Sequence, residues 1–170
     1  MYFFNNSTDI LSSLYPSVFK ASALFCIKVS IPKPRTFQSV EHWAVYNKAL
    51  FFKDVYTARQ VLKEKSPKTV TGLGKKIDTN GMTNDWRSQL ERVLTHGNYH
   101  KFNQNLTLRQ HLMRTGSNTI VYENQNRLLG TGLKRGDPKS KNVETWNGEN
   151  LCGRVLEEVR CMLATGEKPV

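Results

Sequence analysis

The sequence predicts a mainly α-helical α+β domain with a small β-sheet, and two patterns indicate this fold. Residues 1–35 are rich in β-branched and aromatic residues, which favour strands. From Ser39 onwards apolar residues recur with the helical period, apart from a short strand-like segment at 117–124. Because the 170 residues contain no internal repeat or linker, we expect one domain over residues 1–165 and a flexible tail at 166–170.

The N-terminal half supplies the predicted strands and the first three helices. Within residues 1–35, the stretch LFCIKVSI at 24–31 has the strongest strand pattern. The first helix follows Ser39, and the next two follow Asp54 and Ser66, which are residue types that cap helix N-termini. Pro67 directly after Ser66 strengthens the third start, since proline suits the first helical position.

The C-terminal half supplies three more helices. The longest is expected from about 84 to 103, and the one after it ends at Gly116. The last is expected at about 149–164, where apolar side chains form one stripe that faces the core.

Charge is the compositional outlier: 25 Lys and Arg against 14 Asp and Glu give a net charge of +11. Such a field favours phosphate-bearing ligands, including nucleic acid, although solubility alone also accounts for positive charge. No apolar run is long enough to span a membrane, and the N-terminus lacks the pattern of a secretory signal. We therefore expect a cytoplasmic location, in the host cytoplasm if the source is viral.

Three cysteines, Cys26, Cys152 and Cys161, form no CxxC pair. An odd number at low density is typical of reduced thiols, so we expect core thiols rather than disulfides or metal ligands. The four histidines lack a zinc motif, and no metal site is predicted.

Glu41 and Lys48 form the first candidate for chemistry. Seven helical steps bring the two side chains within ~20° of one another and ~10.5 Å apart along the axis. Between them on that helix face lie only the small residues Ala44 and Val45, which leave space for a flat ligand. A carboxylate and a lysine on an apolar floor suit acid/base and Schiff-base chemistry. The spacing alone leaves open a solvated pair on an exposed helix face.

The second candidate is the loop before the last helix, at about 130–148, which we call the basic loop. It contains Gly130, Gly132, Gly136 and Gly148 and the basic residues Lys134, Arg135, Lys139 and Lys141. Its glycines permit close approach of a ligand, and the following helix N-terminus favours phosphate. Neither a GxGxxG nor a P-loop pattern is present, so a flexible basic loop and a phosphate site stay equally open. Trp86 and Trp146 are candidates for stacking on a base, with a core position as the alternative for each.

Taken in order, stretches along most of the chain resemble the NADAR family, named for its association with NAD and ADP-ribose metabolism. The resembling stretches are LSSLYPSVF (11–19), FQSVEHWAVYNKALFF (37–52), TGLGKK (71–76), DWRSQLERVLTHGNYHKFNQN (85–105), LMRTGSNTIVYEN (112–124), LLGTGL (128–133), DP (137–138) and WNGENLCGRVLEEVR (146–160). The chain departs from the family at Ser13, where an Asn is expected, and at Leu129, where an aromatic residue is expected.

The resemblance implies a small N-glycosidase that cleaves the bond between ribose C1′ and a nitrogen. Glu41 and Lys48 stand where the family has its glutamate and lysine, which makes Lys48 the expected nucleophile and Glu41 the general acid/base. The leading interpretation is removal of ADP-ribose from guanine bases of nucleic acid through a lysine Schiff base. Two alternatives are cleavage of ribosylamino intermediates of riboflavin biosynthesis and binding of ADP-ribose-like nucleotides without turnover.

The resemblance also implies the ligand and the residues around it. The expected ligand is ADP-ribose or another phosphorylated nucleotide, free or attached to nucleic acid, and no metal or other cofactor is implied. The oligomeric state is left open. The residues expected to bind the ligand are Ser13, Tyr15, Trp86, Glu123, Gly130, Gly132, Asp137, Trp146, Gly148 and Asn150, of which Glu123 and Asp137 are expected to orient ribose hydroxyls.

Overall fold

The computed structural model describes residues 1–5, 7–26 and 33–170. Within them the chain forms four short strands and six α-helices, in the order β1 (Tyr2–Phe4), β2 (Phe19–Ala21), β3 (Arg35–Phe37), α1 (Val40–Phe51), α2 (Val55–Lys63), α3 (Pro67–Lys76), α4 (Thr83–Gln104), α5 (Leu106–Arg114), β4 (Ile120–Tyr122) and α6 (Leu151–Thr165). Two short 3-10 helices, Pro138–Lys141 and Val143–Thr145, lie in the loop before α6. The predicted α+β class, mainly helical, is confirmed.

The strands form two small sheets rather than one. β1 pairs in parallel with β4, with Tyr2 opposite Ile120, so the N-terminal region and the later strand-like segment share one of these sheets. β2 and β3 form an antiparallel pair. Of the strand predicted at 24–31, residues 27–31 lie outside the described residues, and residues 24–26 are not in a strand.

Local signals set the helix boundaries. The side chains of Ser39, Asp54 and Ser66 each accept a hydrogen bond from the amide three residues along the chain, at 2.9–3.3 Å, as predicted. The last helix begins at Leu151 rather than at about 149, because Asn150 has a left-handed backbone with φ 49°. In the described parts of the chain no helix has the length and apolar character that crossing a bilayer requires.

Helix α1 occupies the centre of the fold. One of its faces packs into the main apolar cluster, where Trp43 is fully buried and donates from its indole nitrogen to the Val93 carbonyl at 2.8 Å. Another face, through Val45 and Ala49, packs into a second apolar cluster shared with α2 and α3. Since α1 is enclosed by α2, α3 and α4, polar side chains on its remaining face border a cavity instead of open solvent.

Candidate active site

Glu41 and Lys48 both border one cavity of about 360 Å³, which we call the Glu41 cavity. Its wall is formed by the segment before β2, by helices α1, α3 and α4, and by the region from 126 to the first turn of α6. The lining residues are Ser13, Glu41, Ala44, Val45, Lys48, Thr71, Gly74, Lys75, Trp86, Leu90, Leu94, Asn126, Leu129 and Cys152. The predicted small-residue floor of Ala44 and Val45 is therefore part of the wall.

The Glu41 carboxyl group is held by a hydroxyl from α3. Thr71 Oγ1 lies 2.8 Å from Glu41 Oε1 and 3.1 Å from the Pro67 carbonyl oxygen. Burial raises the pKa of Glu41 above its usual value, and the Thr71 hydrogen bond opposes this more weakly. The raised pKa increases the protonated fraction at neutral pH, which is the form that a general acid needs.

Thr71 serves both protonation states of this carboxyl group. A hydroxyl has one proton, so Thr71 donates either to ionised Glu41 or to the Pro67 carbonyl. When Glu41 is protonated, its O–H can donate to Thr71 Oγ1, and the Thr71 proton turns to Pro67. Glu41 can therefore lose and regain a proton without a change of partner.

Lys48 lies on the same face of α1 as Glu41, near the other end of the helix, and its side chain contacts α3. Its Nζ donates to the Gly74 carbonyl oxygen at 2.9 Å, and burial lowers the pKa of this amine. Gly74 permits the contact because α1 and α3 meet closely here: a Cβ at Gly74 would lie 2.9 Å from Val45 Cγ2. Glu41 and Lys48 make no ion pair with each other, or with any other group of the described residues. Burial shifts the pKa of each group in the direction that acid/base and imine chemistry requires.

The rest of the wall is mostly apolar, with Ser13, Lys75 and Asn126 as its polar residues and one thiol. Trp86, Leu90 and Leu94 from α4 cover one side, and Leu129 and Cys152 lie on another. Burial raises the pKa of the Cys152 thiol to about 12, so this sulfur is protonated at neutral pH. A protonated thiol is a poor nucleophile, which leaves Lys48 as the better one in this cavity.

The prediction of core thiols was wrong for two of the three cysteines. Cys26 and Cys161 are exposed, and only Cys152 is half-buried. All three are free thiols. Periodicity did not reveal this, since Cys161 lies on the solvent face of α6 and Cys26 lies outside regular structure.

The segment before β2 supplies Ser13 and Tyr15 to two different cavities. The Ser13 carbonyl accepts a hydrogen bond from the Glu41 amide at 3.0 Å, which joins this segment to the start of α1. Tyr15 lines a neighbouring cavity of about 850 Å³, the Tyr15 cavity, whose walls are Ser7, Thr8, Leu14, Tyr15, Pro16, Ser66, Pro67, Lys68, Thr71, Gly72 and Lys75. The two cavities share Thr71 and Lys75.

Three predicted ligand residues hold the basic loop in shape and line neither cavity. Glu123 Oε1 accepts from the Gly136 amide at 3.2 Å and from Ser140 Oγ at 3.0 Å. Asp137 accepts from the amide of residue 139, and Trp146 Nε1 donates to the Ser140 carbonyl at 3.0 Å. Contact of these three with a ligand stays a prediction.

The predicted glycines serve close backbone packing. A Cβ at Gly148 would lie 2.4 Å from the Gly130 carbonyl oxygen. Gly132 has a φ of 75°, and a Cβ added there would lie 2.9 Å from the backbone of residue 147. Fully buried Asn150 bonds through its side-chain amide to the backbone of β4 at 2.8 Å.

The amides at the start of α6 already have partners within the chain. Those of residues 150, 151 and 152 donate to the carbonyls of residues 130, 128 and 129 at 3.0–3.1 Å. A phosphate near this loop would therefore have to be bound by its lysine and arginine side chains and not by these amides. The four glycine and asparagine positions stay predicted ligand contacts without further support.

Sequence reasoning missed the contribution of α3. Thr71, Gly74 and Lys75 line the Glu41 cavity, and none had been proposed as a site residue. The available signal was the stretch TGLGKK, in which Thr71 and Lys75 are four residues apart and therefore share one helix face. Asn126 was also missed, because it lies in an irregular segment with no periodicity.

The protein is thus a compact α+β domain with a carboxyl group and an amine on one face of its central helix. Burial raises the pKa of the carboxyl group and lowers the pKa of the amine. The sequence model of the NADAR domain matches residues 2–164, and the chain belongs to this family. The family resemblance drawn from the sequence is thus confirmed.

The proteins similar to the chain include two relatives and one solved structure. Protein irg-1 of Caenorhabditis elegans is 30% identical over 170 residues, covering 97% of this chain and 80% of that protein. N-glycosidase R617 of Acanthamoeba polyphaga mimivirus is 29% identical over 123 residues, covering 72% of each. The NMR structure of the E. coli protein YbiA superimposes with a TM-score of 0.70 over 97% of this chain and 86% of that one, at 20% identity, which shows a shared fold.

Proposed function

We propose that this protein is an N-glycosidase that removes ADP-ribose from guanine bases of nucleic acid through an imine at Lys48. The observation that carries the proposal is the placement of Glu41 and Lys48 at one cavity, with burial moving both pKa values towards neutrality. The mimivirus relative bears the name N-glycosidase, which supports the reaction class.

The reaction begins with protonated Glu41 and neutral Lys48. Glu41 gives its proton to the leaving nitrogen as the C1′–N bond breaks, and the Lys48 amine bonds to C1′. Glu41 then takes a proton from the new C1′ amine and passes it to the ring oxygen, so that the C1′–O bond breaks, the ribose ring opens and a protonated imine forms between Lys48 and C1′. Water adds to C1′ and loses a proton to Glu41. Glu41 gives this proton to the Lys48 nitrogen and takes one from the C1′ hydroxyl as the C1′–N bond breaks, which releases the sugar aldehyde and leaves protonated Glu41 and a neutral amine.

The charge of the protein supports a polyanionic substrate. The net charge of +11 attracts phosphates without regard to sequence, and this attraction weakens as salt rises. A small metabolite needs no such field. Among the residues of the cavity wall, Lys75 places one exposed cation beside Thr71.

The test is release of ADP-ribose from an oligonucleotide that carries one ADP-ribosylated guanine, measured by chromatography. We expect Glu41→Gln to lower kcat by ~10²–10⁴-fold, since it keeps the shape but has no proton to give. We expect Lys48→Ala to abolish release. Lys63→Ala is the matched control, because this exposed lysine lies on α2 and lines neither cavity.

Two outcomes would contradict the proposal. If the oligonucleotide is unchanged while a ribosylamino pyrimidine is cleaved, the substrate is a metabolite. If ADP-ribose binds tightly and neither substrate is cleaved, the protein is a binder without turnover.

A further inference from the structure

We propose that the Tyr15 cavity receives the leaving group, which is the nucleobase with the strand that bears it, while the Glu41 cavity holds the sugar. This inference rests on the proposed function and adds where each part of the substrate lies. Four features of the structure carry it: the size of the two cavities, their junction, the charge of the second cavity and the support of Tyr15.

The sizes of the cavities require the substrate to extend beyond the Glu41 cavity. At about 360 Å³ this cavity lies near the lower end of the ~300–1,000 Å³ range of ligand pockets. It can enclose a sugar and part of its substituent, but not a whole nucleotide strand. The Tyr15 cavity, at about 850 Å³, adjoins it and offers the additional space.

The junction between the cavities fixes the direction of the leaving group. Glu41 Oε1 bonds to Thr71, and Thr71 borders both cavities. Neither Glu41 nor Lys48 lines the Tyr15 cavity itself, but Glu41 contacts a residue that does, whereas Lys48, which bonds to the sugar carbon, lies against Gly74. The nitrogen that accepts the Glu41 proton therefore lies on the Thr71 side of C1′. The group attached to that nitrogen continues into the Tyr15 cavity.

The lining of the Tyr15 cavity suits a base with its phosphodiester. Its described lining residues include two cations, Lys68 and Lys75, and no carboxylate. Prolines and leucine provide an apolar surface, and Tyr15 is an aromatic ring on which a base can stack. Hydroxyls of Ser66 and Thr71 add polar contacts. A cationic, partly apolar cavity of this kind is complementary to a nucleotide strand.

A buried lysine holds this wall in place. Lys101 is fully buried, and its Nζ donates to the carbonyls of Ile10 and Ser12, the latter at 2.8 Å. The same Nζ lies 5.6 Å from the centroid of the Tyr15 ring. Because Lys101 fixes the backbone just before Ser13 and supports the ring of Tyr15, the aromatic surface is preorganised before a ligand arrives.

Gly72 allows the Tyr15 cavity to be filled without disturbing the Glu41 cavity. It lines only the former, and a Cβ built on it meets no atom within 4 Å. Gly72→Phe therefore places a ring in the Tyr15 cavity, and Gly72→Ala is the matched control. A second test is Lys68→Ala, which removes one cation that borders this cavity alone.

Two measurements separate the parts of the substrate. Fluorescence anisotropy reports the affinity for a labelled, unmodified single-stranded oligonucleotide. Borohydride trapping of free ADP-ribose, corrected for the adduct in Lys48→Ala, reports the reaction at Lys48 without the leaving base or its strand. We expect Gly72→Phe to weaken oligonucleotide binding by roughly 5- to 150-fold, the equivalent of one lost stacked base, and to leave trapping unchanged. We expect Lys68→Ala to reduce the salt slope of binding by about one.

The possible results distinguish this inference from the proposed function. Equal loss of trapping and oligonucleotide binding in Gly72→Phe would place ADP-ribose in the Tyr15 cavity and overturn the inference. Unchanged oligonucleotide binding in both Gly72→Phe and Lys68→Ala would also overturn it. A third result is that the wild type cleaves and traps nothing but binds the oligonucleotide, and that Gly72→Phe loses this binding. Strand binding in the Tyr15 cavity would then stand, and the proposed reaction would fail.

Discussion

Replacement of Gly74 by alanine tests the close contact between α1 and α3 that brings Lys48 to its partner. In an exposed helix interior, Gly→Ala stabilises by roughly 0.5–1 kcal/mol. Here the new Cβ would lie 2.9 Å from Val45 Cγ2 and 3.3 Å from its Cγ1. Val45 is buried and β-branched, so it cannot rotate away freely. Overpacking of this kind costs about 1–3 kcal/mol, which leaves a net loss of roughly 0–2.5 kcal/mol.

Gly72→Ala is the internal control, since it lies on the same helix and its Cβ meets nothing within 4 Å. The two variants should therefore differ in free energy of unfolding by about 1–3 kcal/mol, or by roughly 2–12 °C in Tm for a chain of this size. Denaturant titration and thermal melts measure both quantities. Val45→Ala combined with Gly74→Ala should recover part of the loss. Equal stability of the two single alanine variants would refute the close packing of α1 on α3 at Gly74.

Three further predictions concern Lys101, the cysteines and Leu129. Burial lowers the pKa of Lys101 to about 7 in the folded chain, from 10.5 for an ordinary lysine. Between pH 7 and 10.5 the unfolded chain therefore binds more protons than the folded chain does. The free energy of unfolding should rise with pH across this window, by at most about 1.4 kcal/mol per pH unit. Lys101→Met should lose this slope in denaturant titrations, and an unchanged slope would contradict the assignment. Iodoacetamide should label exposed Cys26 and Cys161 quickly and Cys152 slowly, because burial raises the pKa of Cys152 to about 12; mass spectrometry showing equal rates would count against this. Leu129→Trp should tighten the binding of ADP-ribose by roughly 2- to 12-fold, because an indole at the wall of the Glu41 cavity can stack on the adenine attached to the bound sugar. Unchanged affinity would remove this position from the ligand site.

Local patterns were sufficient to predict the helices and the first pair of site residues. The caps at Ser39, Asp54 and Ser66 depend only on residues within one turn, and all three form as expected. The common face of Glu41 and Lys48 follows from helix geometry within α1. The resemblance to the NADAR family was needed to favour a functional site over a solvated pair, because spacing does not reveal burial.

Contacts between distant elements could not be predicted from these patterns. Thr71 bonds to Glu41 across thirty positions of sequence, and nothing in the composition of α3 indicates which helix it packs against. Gly148 had the appearance of a ligand-approach residue, yet its lack of a side chain accommodates the Gly130 carbonyl. Glycine permits close approach of any backbone, and the sequence does not say whether a ligand or the chain itself is the neighbour.

The most direct test of the account is borohydride reduction during turnover of an ADP-ribosylated guanine oligonucleotide, followed by peptide mass spectrometry. An imine at Lys48 predicts a reduced ADP-ribose adduct on the peptide that contains this residue, absent in Lys48→Ala and present in Lys63→Ala. Release of ADP-ribose by the wild type with no adduct at Lys48 would contradict the covalent role of this amine.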